Sequence, residues 1–184
     1  MATPQKASIE IVNNTGSTLL SASVSHKYSD NYKNEHTWEN IKNGETTSTT
    51  KVDFNTGLLT TGRDWWVVTW VNDKGDTYVT DPKNFRGIID FLEKMGDKLA
   101  TPLATLAATF ATKTSDARAK AVAAAVAVTS AVAAAFLNTE ATDGFKQHIL
   151  REEDKDRPTR IVIKKNEVEF NSKSGISTTG FRKM

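Results

Sequence analysis

The sequence predicts an α+β domain, an antiparallel β-sandwich-like layer with an alanine-rich helical hairpin inserted between its strands. Three observations carry this. From Ala7 to about Thr80 the chain is rich in Thr, Ser, Val and aromatic residues in short runs separated by "NNTG", "KNGE" and "NDKGD", which are strand and turn signals. The middle is dominated by alanine, and alternation returns in "RIVIKKNEVEF". Strands, then helices, then strands place the helices as an excursion between strands.

A chain of 184 residues fits one domain with a sizeable core. It divides into a β part at 7–80, a helical insertion at 81–153 and a C-terminal β part at 158–184.

Within the first β part, "LLSASVSHKY" puts Leu20, Ala22, Val24, His26 and Tyr28 on one face and Ser21, Ser23, Ser25 and Lys27 on the other. That period of two predicts a strand with one packed and one wet face. "TTGRDWWVVTW" differs: Trp66, Val68 and Trp70 line one face, and Trp65, Val67 and Val71 line the other, interrupted by Thr69. A strand apolar on both sides is central and covered twice.

The helical insertion supplies that cover. Asp81-Pro82 is a helix start, and Phe85, Ile88, Ile89, Leu92 and Met95 recur at helical spacing until Gly96. Pro102 and "KTSD" divide the next segment into a helix near 99–112 and one near 115–138, with Ser115 as N-cap. Thr142 is read as capping a further short helix through Phe145, Ile149 and Leu150, ended by the solvated run Arg151 to Arg157. Lys165-Asn166 then forms a hairpin tip between Ile161-Ile163 and Val168-Phe170.

Composition excludes several function classes. Lys plus Arg exceed Asp plus Glu by two, 24 against 22, so the footprint of a nucleic-acid partner is missing. With no cysteine, disulfides, thiolate metal sites and Cys nucleophiles are excluded together. The N-terminal "MATPQKASIEIVNNTG" has no apolar signal core, so the expected location is the cytoplasm, or outside the cell by release without a classical signal peptide.

No nucleophile elbow, phosphate-binding Gly loop or H-E-x-x-H helix is present. The expectation is a protein without catalysis, cofactor or metal. His26, Asp30 and His36 match no ligand spacing, and "NDKGD" lacks the regular spacing and distal Glu of a calcium loop. His148 is read as the polar margin of an amphipathic helix, with Glu152 or Asp143 as its acid–base alternatives.

Two groups of residues remain as candidates. All Trp and Tyr lie between residues 28 and 78. Tyr28, Tyr32, Trp38, Trp65 and Trp66 are the candidate ligand- or lipid-binding set, because Trp and Tyr join a flat apolar body to a polar tip. From Ala121 to Leu137 the chain carries no charge, and Ala123, Ala127, Ala131 and Ala135 recur every fourth residue. Such a stripe allows close helix approach, marking these alanines for oligomerisation or membrane insertion.

"SHKYSDNYKNEHTWENIKNGETT", "NTGLLTTGRDWWVVTW", "TDPKNFRGIIDFL", "DGFKQHILREED" and "SKSGIST" together resemble the Up-regulated in Daf-two domain family over most of the chain. The resemblance implies kinship without an activity, cofactor or catalytic residue. A second likeness, of pattern only, is to the lipid-binding β-sandwiches of aegerolysin and actinoporin type, through "IEIVNNTGSTL", the Lys/Tyr-rich strand after it and "GRDWWVVTW". The expected function is therefore a non-enzymatic lipid- or membrane-interacting protein, pore-forming or oligomerising, with a lipid surface and copies of itself as partners. The alternatives are a self-assembling structural or stress-related protein, and a small-ligand binder or enzyme using Arg63, Asp64 and His148.

Overall fold

The computed structural model describes residues 2–29, 31–58, 60–83, 86–112 and 115–184. Two sheets face each other. One has the strand order β10-β9-β8-β1-β4, built from β1 (Thr3–Asn14), β4 (Thr50–Thr56), β8 (Thr159–Lys164), β9 (Val168–Asn171) and β10 (Ile176–Thr179). The other has the order β11-β6-β5-β2-β3 with β7 added beside β5. Its strands are β2 (Leu19–Tyr28), β3 (Tyr32–Ile41), β5 (Asp64–Asn72), β6 (Thr77–Thr80), β7 (Lys146–Gln147) and β11 (Phe181–Lys183). Pairing is antiparallel except between β1 and β8, which run parallel.

The helices form a third layer on the outer face of the six-stranded sheet. They are α1 (Arg86–Lys94), α2 (Gly96–Ala111) and α3 (Ala117–Asn138), and α3 packs on β2, β3, β5 and α2. The architecture is thus the α+β sandwich with inserted helices that the alternating and alanine-rich segments predict.

The tryptophan strand divides as its alternation requires. Trp66, Val68 and Trp70 point between the sheets with Ile9, Ile11, Phe54, Ile161 and Phe170. Val67 and Trp65 pack under Phe136 and Phe145, while Val71 meets Leu106 and Val128. The "NDKGD" hairpin closes through Asn72 N–H to the Asp76 carbonyl, 3.0 Å. Gly75 there has φ 84°, a left-handed conformation that favours glycine. The Lys165-Asn166 tip likewise joins antiparallel β8 and β9.

Four expectations are corrected. The Ser21, Ser23, Ser25 and Lys27 face of β2 is not wet: every residue of β2 is buried, because α3 lies on the serines. The segment from Thr142 to Leu150 is extended rather than helical. β5 takes its polar groups: Lys146 and Gln147 pair with Trp66 and Trp65, Asp64 accepts from His148 N and Leu150 N, and Trp66 Nε1 donates to the His148 carbonyl.

The run Arg151 to Arg157 is not wholly solvated either, since Asp154 is fully buried in a 3-10 turn, Glu152–Lys155. Helix boundaries shift as well. Gly96 opens α2 instead of closing α1, α2 continues through Pro102, and the N-cap of α3 is Asp116 rather than Ser115. Phe85 lies outside the described residues.

Candidate functional site

The interface between α3 and the six-stranded sheet is built from unusual materials. A buried helix ordinarily sits on branched aliphatic side chains. Here the buried face of α3, with Ala121, Ala124, Ala125, Val128, Thr129, Val132, Ala133, Phe136 and Leu137, meets Leu20, Val67 and Val71 and, beside them, a row of hydroxyls. Ser21 Oγ lies 2.7 Å from Thr129 Oγ1, Ser25 Oγ donates to the Ala133 carbonyl at 3.1 Å, and Thr37 Oγ1 is 3.2 Å from Ser130 Oγ.

Two cations fasten the ends of this contact. Lys27 Nζ donates to the Thr139 carbonyl just past the helix and stands 4.8 Å over the Phe145 ring. Arg118 Nη2 reaches Asn40 Oδ1 at 2.7 Å near the other end.

The outward side of the layer is equally distinctive. Between Leu99 and Thr112, and again between Ala121 and Leu137, neither helix carries a charge, although Ala104, Thr105, Ala107, Ala108, Phe110, Ala123 and Ala127 are exposed. The Thr105 and Thr109 hydroxyls turn back to carbonyls one turn earlier, 2.9 and 2.7 Å away, so these polar groups bond within their own helix.

Open grooves run along the surface between the helices of this layer. Cavities of about 510 Å³ between α1, α3 and Phe145, 430 Å³ between α1 and α3 and 490 Å³ between α1, α2 and the segment 182–184 all open among the helices. Between the facing sheets, the pocket beside Val24 and Val52 has no room for a water.

The aromatic candidates do not converge on one surface. Trp66 is fully buried between the sheets with Tyr28 and Trp38. Tyr28 and Tyr32 form a ring pair at 6.1 Å. Trp38, six residues along β3 from Tyr32 and hence about 20 Å away, donates Nε1 to the Ser48 carbonyl. Trp65 faces the helices.

Of the alanine stripe, Ala123 and Ala127 are exposed, while Ala131 and Ala135 pack against the α1 side of the layer. The face that docks α3 on the sheet is the neighbouring one.

Arg63, Asp64 and His148 do not share a pocket. Arg63 is exposed, and the buried Asp64 carboxylate is taken by His26 Nε2 at 2.8 Å and Leu150 N at 2.9 Å. His26 Nδ1 faces Asn34 Oδ1 at 3.3 Å, and its ring is 4.2 Å from Trp66. The His36 ring instead lies against Trp38 at 4.5 Å, and Asp30 is outside the described residues. Among the described residues no cluster of His and acids could hold a metal ion.

His148 has a different setting. Its Nδ1 lies 2.8 Å from Ser177 Oγ and its Nε2 3.1 Å from Ser172 Oγ. Ser172 Oγ is 3.1 Å from Ser174 Oγ, which donates to the buried Asp154 carboxylate at 2.6 Å. Burial lowers the His148 pKa to about 4, against an opposing pull from Asp154, while Lys146 lowers it further. The ring is therefore neutral at pH 7.

A family model described as Up-Regulated in long-lived daf-2 matches residues 3–181. The chain belongs to this family. The match runs from the first residue of β1 to the first of β11, so the daf-2 up-regulated family is defined over both sheets and the helical layer together. No curated protein matches the chain.

In this member of the up-regulated family, sequence reasoning missed Ser172 and Ser177 as partners of His148 and Ser174 as the link to Asp154, because they come from a hairpin with no motif spacing. It also missed the docking role of Ser21, Ser23 and Ser25. There a signal existed: a solvated strand face carries charges, and this one carries only Lys27.

Proposed function

We propose that the protein is a lipid- or membrane-interacting protein whose α2–α3 hairpin is the element that meets the bilayer. The observation that carries this reading is that α3 has no charge from Ala121 to Leu137, yet part of the sheet face beneath it is lined by hydroxyls. Lifting the hairpin would return Ser21, Ser25 and Thr37 to water, where hydroxyls are well solvated, and would uncover Leu20, Val67 and Val71. It would also free α3, whose uncharged stretch from Ala121 to Leu137 is about 25 Å long, against a hydrocarbon core of about 30 Å.

By length and composition alone α3 is long and apolar enough to cross a membrane, a property it shares with core helices of soluble folds, and half of its most apolar stretch is buried.

The test combines liposome co-sedimentation and dye leakage with a Ser21→Cys/Thr129→Cys variant. The chain has no native cysteine, so the pair forms the only disulfide available. Leakage by the unmodified protein, lost in the oxidised variant and regained on reduction, supports hairpin release. Failure to bind zwitterionic or anionic vesicles, with a discrete oligomer in light scattering, would instead favour self-assembly through the exposed Ala123 and Ala127.

A further inference from the structure

We infer that the end of the sandwich where the β1–β2 turn, the β5–β6 hairpin and the β8–β9 tip meet is a binding site for a small phosphate ester. Its oxyanion is held by Trp70 Nε1 and Lys165 Nζ, and its organic body lies on Tyr78 and Phe181. Both sheets form the site and no helix lines it, so it stands independently of the membrane reading.

A cavity of about 250 Å³ opens there, with Leu19, Trp70, Tyr78 and Phe181 as its apolar wall. The Trp70 and Tyr78 rings stack at 5.6 Å with 17° between their planes. Phe181 stands edge-on to both, at 4.9 and 5.7 Å. Tyr78 and Phe181 are half-buried, so the wall offers aromatic surface to the mouth instead of closing it.

Trp70 is the residue that points to a ligand. It is 2 % exposed, and a buried indole N–H ordinarily has an acceptor. Trp38 and Trp66 follow this rule, each donating to a carbonyl at 2.9 Å. Trp70 Nε1 has no hydrogen bond to any described residue. Nor is it sealed in: among the described residues, the shut-in side-chain atoms without a partner are Thr69 Oγ1, Gln147 Nε2 and Thr159 Oγ1. The small part of Trp70 that stays open therefore includes this N–H, and the ring lines the cavity.

The charges around the cavity select an anion. Among the described residues no carboxylate lines it, whereas Lys164 and Lys165 do. Lys164 is balanced by Glu167 and Glu169 at 3.1 and 2.6 Å, and Asp76 of the β5–β6 hairpin is held by Lys183 at 2.6 Å. Lys165 has no ion pair among the described residues. Its stem crosses Gly16, where φ is 93° and a Cβ would stand 3.1 Å from Lys165 Cε and 3.7 Å from Nζ. A position without a side chain thus brings the ammonium against the β1–β2 turn.

The Ser17 and Tyr78 hydroxyls, also without a hydrogen bond among the described residues, complete the set. An indole and an ammonium can only donate, and a hydroxyl can do so. Donors arriving from the β1–β2 turn, from β5 and β6 and from the β8–β9 tip suit a tetrahedral oxyanion, whose oxygens point in several directions, better than a planar carboxylate. Lysine serves such a group as a point charge.

The walls are preset. The buried Asn13 accepts from the Thr15 N–H and hydroxyl at 3.1 and 2.8 Å and donates to the Ser17 and Ile41 carbonyls at 2.8 and 2.9 Å, which fixes the turn bearing Ser17. Opposite, Asn72 Oδ1 accepts from the Lys74 and Asp76 N–H groups at 3.0 and 2.9 Å. Donors held in this way bind at a smaller cost of ordering.

The test is titration with glycerol 3-phosphate, followed through the indole N–H signals in proton–nitrogen correlation spectra. The chain has four tryptophans, and the Trp70 signal, assigned with Trp70→Phe, is expected to shift most and to saturate. Lys165→Gln should weaken binding about tenfold or more in calorimetry, and Lys165→Arg should restore most of it. Trp70→Phe, which keeps a ring and loses the N–H, should weaken it comparably, with its fold checked by thermal melting. Lys120→Gln, an exposed change on α3, should leave binding unaltered.

Vesicles of phosphatidic acid or phosphatidylcholine decide where the ester comes from, with the oxidised Ser21→Cys/Thr129→Cys variant used so that α3 stays on the sheet. Retention on phosphatidic acid alone, lost on adding Lys165→Gln and competed by glycerol 3-phosphate, places the phosphate on a lipid. Saturation by glycerol 3-phosphate without such retention places it on a soluble ester. Both outcomes support the site, and neither depends on hairpin release. A Trp70 signal unmoved by either source, affinity unchanged in Lys165→Gln, or equal affinity for glycerate would overturn the assignment.

Discussion

Ser21 on β2 and Thr129 on α3 share a hydrogen bond of 2.7 Å between buried side chains 108 residues apart. The two hydroxyls satisfy each other where neither could reach water. Thr129→Val should therefore cost about 1–3 kcal/mol, because Ser21 stays buried without that partner. Adding Ser21→Ala should recover much of the loss, and urea titrations of the singles and the double give the coupling directly.

The stripe and the docking face of α3 should respond oppositely to added volume. Ala125 is fully buried against the sheet, whereas Ala127 is exposed. Ala125→Leu is expected to destabilise by about 1–3 kcal/mol through overpacking. Ala127→Leu should stay within about 0.5 kcal/mol in the monomer, so a large thermal shift in that variant would show that another surface covers Ala127.

Acid stability should carry the signature of His148. Its folded pKa of about 4 lies below the ordinary 6.5, so between those values the unfolded chain binds the extra proton. Its contribution is present in full above pH 6.5, declines as pH falls, and is gone near pH 4. The expected swing is about 3 kcal/mol. Denaturation of wild type and a folded His148→Gln variant across this window should show that slope in wild type alone.

Removing the Asp64 carboxylate should be among the costliest single changes in the sandwich. It is fully buried and holds both His26 Nε2 and Leu150 N. Asp64→Ala would leave His26 buried with one partner fewer and release the segment after β7. The expected loss is about 3–5 kcal/mol, and Trp66 fluorescence should redden as the His148 carbonyl leaves its indole N–H.

Much of this architecture was legible because strands and helices write their periods into the chain. The alternation around Trp65 to Trp70 sorted the residues correctly into two covered faces without saying which was the inner one, and the uncharged run from Ala121 to Leu137 marked a helix with an apolar setting. The segment after Thr142 was misread because Phe145, Ile149 and Leu150 mimic a helical stripe. Its backbone is instead claimed by Asp64 and the Trp strand, partners about 80 residues away that no local pattern contains. The hydroxyl relay was hidden for the same reason. Asp154 looked like one more solvated charge, and its burial follows only from the hairpin that folds over it.

The parallel pairing of β1 with β8 has a consequence for how the protein is made. β1 is interior to its sheet, with β4 on one side and β8 on the other, and Glu10 meets Arg160 across 150 residues. During synthesis β1 and β4 can pair early, but the second edge of β1 waits until β8 has emerged. The β3-β2-β5-β6 part of the other sheet and the helices can assemble first, with β11 still to be added and the inner faces of Trp66 and Trp70 not yet covered by β8 and β9. Closure should thus follow chain release and be slow, as long-range pairing demands. A nascent chain held short of Thr159 should keep those two indoles open to chaperones or to aggregation.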